Sequence, residues 1–229
     1  MTNWLEQCRT ELDRLANEFV DWDRTHGVRP EHGMHPVRMA MQDQYFIPTR
    51  RMCWAYVQAG SPIDVKRAVW HHESDELIKD PRLGKAHVDV KASEPMEPLP
   101  GVRTACYAWV YVAIHRPWLE GLSACHILER QNDPRVVKSK TSARRRADWA
   151  MADQSLSAEQ LPERLRMHLD VDTDHSELIW NVFVDYVKDE ESYNQVVRGA
   201  RESLDTYRTF KRAVVEGLEE YEMARAAAS

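Results

Sequence analysis

Glycine is scarce in this sequence, with eight in 229 residues, and none of them belongs to a Gly-rich phosphate loop. ATP and dinucleotide sites of the common kinds depend on such loops and are not expected. Cysteine is sparse too. Cys8, Cys53, Cys106 and Cys125 form no CxxC pair, which fits reduced thiols in a cytosolic protein. No uninterrupted apolar run approaches the ~20 residues that a bilayer crossing needs. The opening "MTNWLEQCRTELDRL" lacks a basic start followed by an apolar core, so it does not read as a signal peptide. Positive charge is not in excess. The formal net charge is -6 and the pI is near 5.9, which argues against a dedicated nucleic-acid binder. A cytoplasmic protein without membrane or nucleic-acid partners is the expectation. No convincing alternating strand pattern is visible either.

What is present is helical periodicity. Trp4, Leu5, Cys8, Leu12, Leu15, Phe19 and Trp22 recur at three-and-four spacing over residues 3–25. "GVRPEHGMHP" breaks the pattern. A second helix is expected from about Pro36 to Ala59, with Met39, Met41, Tyr45, Met52 and Tyr56 among its larger apolar residues. Ser61-Pro62 opens a third, ending before "KDPRLG". Residues 90–101 read as a loop. "VRTACYAWVYVAIH" reads as a buried helix, and another runs from near Leu119 to about Arg130. Residues 131–156 are polar and mixed, with the basic run "KSKTSARRR". Ser157 and Gln160 have capping-box spacing before a long helix to about Lys188. A last helix spans about Ser192 to Ala227. With 43% hydrophobic and 30% charged residues, the chain can bury a substantial core. The expectation is all-α, one single-domain bundle of about seven helices over residues 1–229.

Two polar clusters interrupt the apolar faces. His168, Asp172 and His175 are spaced four and then three apart, so they share one helix face, with Leu165 and Ile179 on the same stripe. Imidazole and carboxylate on a core face are costly unless paired, hydrogen-bonded or metal-bound. A hydrogen-bonded core network is the plain alternative. In "VWHHESDELIKD", His72, Glu73 and Glu76 lie on the side of Val65 and Val69, at spacings that let two side chains reach one ion. A polar helix end is the alternative there. In "WLEGLSACHILERQ", Glu129 falls on the edge of the apolar face. Glu120 sits in the first turn, where the helix dipole alone favours a carboxylate, so Glu129 is the preferred ligand. Carboxylates mixed with imidazoles suit iron or manganese better than structural zinc.

These segments resemble a known family. "HPVRMAMQDQYFIPTRRMCWAYVQAG" resembles the second-helix region of the thiaminase II and pyrroloquinoline-quinone synthase superfamily, which has the heme-oxygenase-like all-α fold. "HRPWLEGLSACHILE" fits the central helix of that fold. The His-x3-Asp-x2-His of residues 168–175 is similar to the third core helix of heme-oxygenase-like diiron oxidases. The resemblance covers most of the chain. It implies an O2-activating non-heme diiron oxygenase or oxidase, with manganese possible at one position. Implied reactions are N-oxygenation, C–C cleavage or oxidative decarboxylation of a small amine or carboxylic acid, in a biosynthetic setting. The implied ligands are His168, Asp172 and His175 with Glu129, and Glu73, Glu76 and His72 as the nearest matches in the first core helix. O2, a small-molecule substrate, an electron donor and a second copy in a homodimer are the implied partners.

The substrate pocket is expected beside the metals, walled by aromatics such as Tyr45, Phe46, Trp70, Tyr107 and Trp109. Arg50 or Arg67 could hold a substrate carboxylate, although a surface role is the expectation for each. Two metal-free readings compete within the same fold, a thiaminase-like hydrolase with Cys125 as nucleophile and a cofactorless oxidase like the quinone synthase. A third is a helical binding protein using "KSKTSARRR" for an anionic partner, although a solvated loop explains that run.

Overall fold

The computed structural model describes residues 3–79, 95–153, 155–161 and 172–228, without the side chains of 75–79, 158 and 172–174. The described residues form eight helices and no strand, an all-α bundle as expected from the periodicity. Helix α1 is Trp4–His26, started by Asn3, whose side chain accepts from the Glu6 N–H. Helix α2 is one helical run in three pieces: Pro36–Ala40, a π-helical segment Met41–Phe46, and Ile47–Gly60. Helix α3 is Ile63–Lys79, α4 is Pro100–His115 and α5 is Trp118–Arg130. Helix α6 is Ser142–Asp153, α7 is Asp172–Tyr186 and α8 is Glu190–Ala228. One continuous core of buried side chains runs from Cys8 in α1 to Leu218 in α8. Among the described residues, no helix is long and apolar enough to cross a membrane.

The π segment explains the main departure from the expected pattern. A π turn closes i→i+5 bonds and so takes one residue more than an α turn. Pro48 has no N–H to give to the carbonyl of residue 44, which removes one α-type bond at this place. Buried positions step from Met41 by five to Phe46, and then to Thr49, Cys53 and Val57. An unbroken α-helix would place Met52 and Tyr56 inside. They are instead 46% and 45% exposed.

Three other expectations are corrected. Helix α4 buries only Val102, Ala105, Trp109 and Val112, while Tyr107, Tyr111 and Ile114 face outward. Residues 142–153 form a helix inside the stretch read as polar and mixed. The Ser157–Gln160 capping box is present, but it heads a 3-10 turn, Ala158–Gln160. Three residues of the basic run in and before α6 pair within the chain. Lys140 and Arg144 both reach Asp148, and Arg145 reaches Asp23 at 2.6 Å. Lys211 from α8 joins Asp23 at 2.7 Å. Burial alone would push the Asp23 carboxyl up, but Lys211 and Arg145 hold it below the ordinary value.

Helix α5 lies at the centre, packed by α1, α2, α4, α7 and α8. All its residues from Leu119 to Arg130 are buried. Its closest neighbour is α8, and glycine sets the approach. A Cβ on Gly199 would stand 2.1 Å from the Glu120 carbonyl oxygen. Gly199→Ala should therefore cost about 2 kcal/mol or more, because the helices must separate. At Gly60 the nearest atom to an added methyl is the Trp118 Cβ, 4.0 Å away. Gly60→Ala should stay within about 0.5 kcal/mol of the parent or gain slightly. Urea unfolding of both variants checks this, and equal destabilisation would refute the α5–α8 contact as the constraint.

Candidate metal centre

Helix α3 buries Val65, Val69 and His72 at four-and-three spacing, which carries His72 inward. From α7, His175 and Ile179 are buried one turn apart. From α5, Glu129 is buried at the C-terminal end of the central helix. His72, Glu129 and His175 each offer one donor atom, and the three atoms lie within 4.8 Å of one another. The two imidazole rings stand 4.5 Å apart, centroid to centroid, and the Trp54 ring lies 4.4 Å from that of His72.

The hydrogen bonds around His72 say which nitrogen faces the cluster. Nδ1 lies 3.2 Å from Glu73 Oε1, so the proton sits there and is donated to Glu73. Nε2 is buried, makes no hydrogen bond among the described residues, and lies 3.8 Å from Glu129 Oε1. A nitrogen lone pair facing a carboxylate oxygen is repulsive unless a cation or proton lies between them. Two atoms each about 2.1 Å from one ion can be up to about 4.2 Å apart, so this pair can share one. A carboxylate holding the far nitrogen of a ligand histidine is the usual second partner at metal sites. The residues present therefore fit a divalent metal ion. Two imidazoles and one carboxylate are a donor set that would suit a non-heme iron(II) ion.

A second charged group reaches the cluster. Arg50, in the last part of α2, donates from a guanidinium nitrogen to Glu129 Oε1 at 2.5 Å. The expectation of a surface role for Arg50 is overturned, and the register shift of the π segment is the reason. Arg67 is exposed, as expected. Arg50 also lines a small cleft with Cys53, Trp109, Cys125 and Leu128 that has room for about one water molecule. Phe46 packs edge-on to Trp109 at 5.4 Å. Tyr45 donates to the Met96 carbonyl. Trp70 and Tyr107 are corrected as pocket walls, being 66% and 69% exposed. Burial pushes the Cys53 thiol up to about 12 and the Cys125 thiol well above its ordinary value. Both stay protonated and are poor nucleophiles.

Of the expected ligands, then, the structure brings together His72, Glu129 and His175, with Glu73 against His72. His168 lies outside the described residues, as do the side chains of Glu76 and Asp172. Glu120 is elsewhere. It is buried at the opposite end of α5, nine residues or about 13 Å along the axis, paired with Arg198 at 2.9 Å and near Arg116. It does sit in the first turn of α5, as expected, and the ion pair adds to the dipole there.

Sequence reasoning passed over His126, one turn before Glu129 on α5. It is fully buried, and its Nε2 donates to the Ser176 carbonyl at 3.0 Å, tying α5 to α7 beside His175. The only sequence signal was its spacing from Glu129. Burial, with the Arg130 charge nearby, lowers its pKa from 6.5 to about 3. A histidine held neutral in this way stabilises the fold fully above its ordinary pKa. That stabilisation is lost as pH falls from about 6.5 toward 3. The stability difference between the parent and His126→Leu should shrink by about 2 kcal/mol between pH 7 and pH 5, at about 1.4 kcal/mol per unit. Denaturant unfolding at the two pH values tests this, and an unchanged difference would assign the acid sensitivity to other groups. Among known proteins, no protein-family model and no curated protein matches this chain, so the chemistry of the site has to be read from its own residues.

Proposed function

We propose that this protein is an O2-activating, non-heme iron oxidase or oxygenase of the heme-oxygenase-like kind, acting on a small amine or carboxylic acid. The observation that carries this reading is the buried His72–Glu129–His175 cluster drawn from α3, α5 and α7. Iron(II) bound there supplies redox chemistry and an open position for O2. The chain supplies the rest. His72, His175 and Glu129 hold the ion, and Glu73 fixes the His72 tautomer so that Nε2 is the donor. Trp54 and the core beneath it keep water from the imidazoles. The cleft that Arg50 lines with Cys53, Trp109, Cys125 and Leu128 has room for about one water molecule, so the organic substrate needs other space beside the centre.

The raised Cys53 and Cys125 thiols weigh against the hydrolase reading, which needs a thiolate. The His72 Nε2 atom weighs against a metal-free oxidase, because without a cation it faces Glu129 with no hydrogen bond.

The test is anaerobic purification, loading with iron(II), an elemental metal count, and the visible spectrum after O2 is admitted. Tightly bound iron and a transient absorbance are expected in the parent. His72→Ala and His175→Ala should each weaken metal binding by tenfold or more and abolish the transient. No stoichiometric metal, with no difference between parent and variants, would make the cluster a polar core network.

A further inference from the structure

We infer that the small cleft where α2, α4 and α5 meet is a binding site for O2, which is held there beside the centre before it reaches the metal. The inference rests on the metal reading above and adds the place from which the gas is delivered. The cleft has room for about one water molecule. O2 is about as wide as water and longer by one O–O bond, whereas an amine or carboxylic acid substrate is too large. Of the lining residues, only Arg50 and Ala113 are not buried.

The walls favour a small apolar molecule over water. A buried water needs roughly two to four polar partners, and the polar groups along this cleft are engaged elsewhere. The Trp109 indole N–H donates to Ser203 Oγ at 3.0 Å, and the Ser203 hydroxyl donates to the Ala124 carbonyl at 2.6 Å. The Arg50 guanidinium donates to Glu129. What remains is the Trp109 ring, the methyls of Ala113 and Ala124, the Leu128 side chain and the thiols of Cys53 and Cys125. Thiols are weak donors and weak acceptors.

Two residues join the cleft to the centre. Arg50 lines the one and reaches Glu129 Oε1, in the other, at 2.5 Å. Cys125 is one turn before Glu129 on α5, within electrostatic reach of both Glu73 and Glu129. Burial keeps the Cys53 and Cys125 thiols protonated. The thiolate is the form that oxidises readily, so these walls tolerate O2. Holding the gas here raises its effective concentration at the ion.

The experiment has two parts, both on the full-length protein. Crystals are pressurised with krypton, which is apolar and close to O2 in size. One krypton atom is expected in the cleft of the parent and none in Ala124→Val, whose added methyls occupy the space. Parent and variant are then loaded anaerobically with iron(II), counted for metal and mixed with O2. Ala124→Val should retain as much iron as the parent, and its visible transient should rise about tenfold more slowly. Should Ala124→Val fail to fold by circular dichroism, Ala113→Val makes the same comparison. No krypton in the cleft of the parent would overturn the inference. So would a variant that excludes krypton yet reacts at the parent rate. No iron retained by the parent would instead overturn the metal reading, and the O2 site with it, whether or not krypton binds.

Discussion

Everything in this bundle answers to the enclosure of α5. A helix surrounded on all sides is ordinarily apolar all round, yet α5 carries Glu120, Ser123, His126, Glu129 and Arg130 into the interior. Each polar group there must find a partner or lose its hydration uncompensated. The partners come from different helices. Ser123 donates to the Val196 carbonyl and Glu120 takes Arg198, both in α8. Arg130 reaches Asp13 in α1, His126 reaches Ser176 in α7, and Glu129 takes Arg50 in α2. One helix thereby fixes the rotation and height of its neighbours. The candidate centre forms at the end of α5 where those constraints converge.

Most of the architecture was legible as period. The apolar stripes of α1, α5 and α8 are long and regular, and their limits fall within a residue or two of where the pattern begins and ends. What period could not show was a change of period. The sequence "MQDQYFIP" offers apolar residues at Met41, Tyr45 and Phe46, so both the α and the π register have something to bury. The choice is made by packing, because Cys53, Trp54 and Val57 fill the core and Met52 and Tyr56 do not. Arg50 was misread for the same reason. In the candidate site, His72, His175 and Glu129 were legible because polar residues on an apolar stripe stand out. His126 was not, since a single histidine on a uniformly buried helix has no contrast to reveal it.

Charge is handled locally elsewhere in the molecule. Asp23 gathers Arg145 and Lys211, joining α1, α6 and α8 through one buried carboxylate. Trp180 lies between Arg9 and Arg130, at 5.3 and 5.1 Å from its ring centroid. Cations are thus kept against carboxylates or aromatic faces. His72, Glu129 and His175 are the one group among the described residues where three metal-ligating side chains converge.

The π turn in α2 takes one residue more than an α turn, so the chain carries an extra residue without moving the stripe that follows. One residue fewer between 41 and 46 would change the buried steps from five, three, four and four to four, three, four and four, the rhythm of an ordinary α-helix. Arg50, Cys53 and Val57 would keep their places against α5. Related chains shorter by one residue at this position would therefore keep the same bundle, the same two histidines and the same arginine beside Glu129.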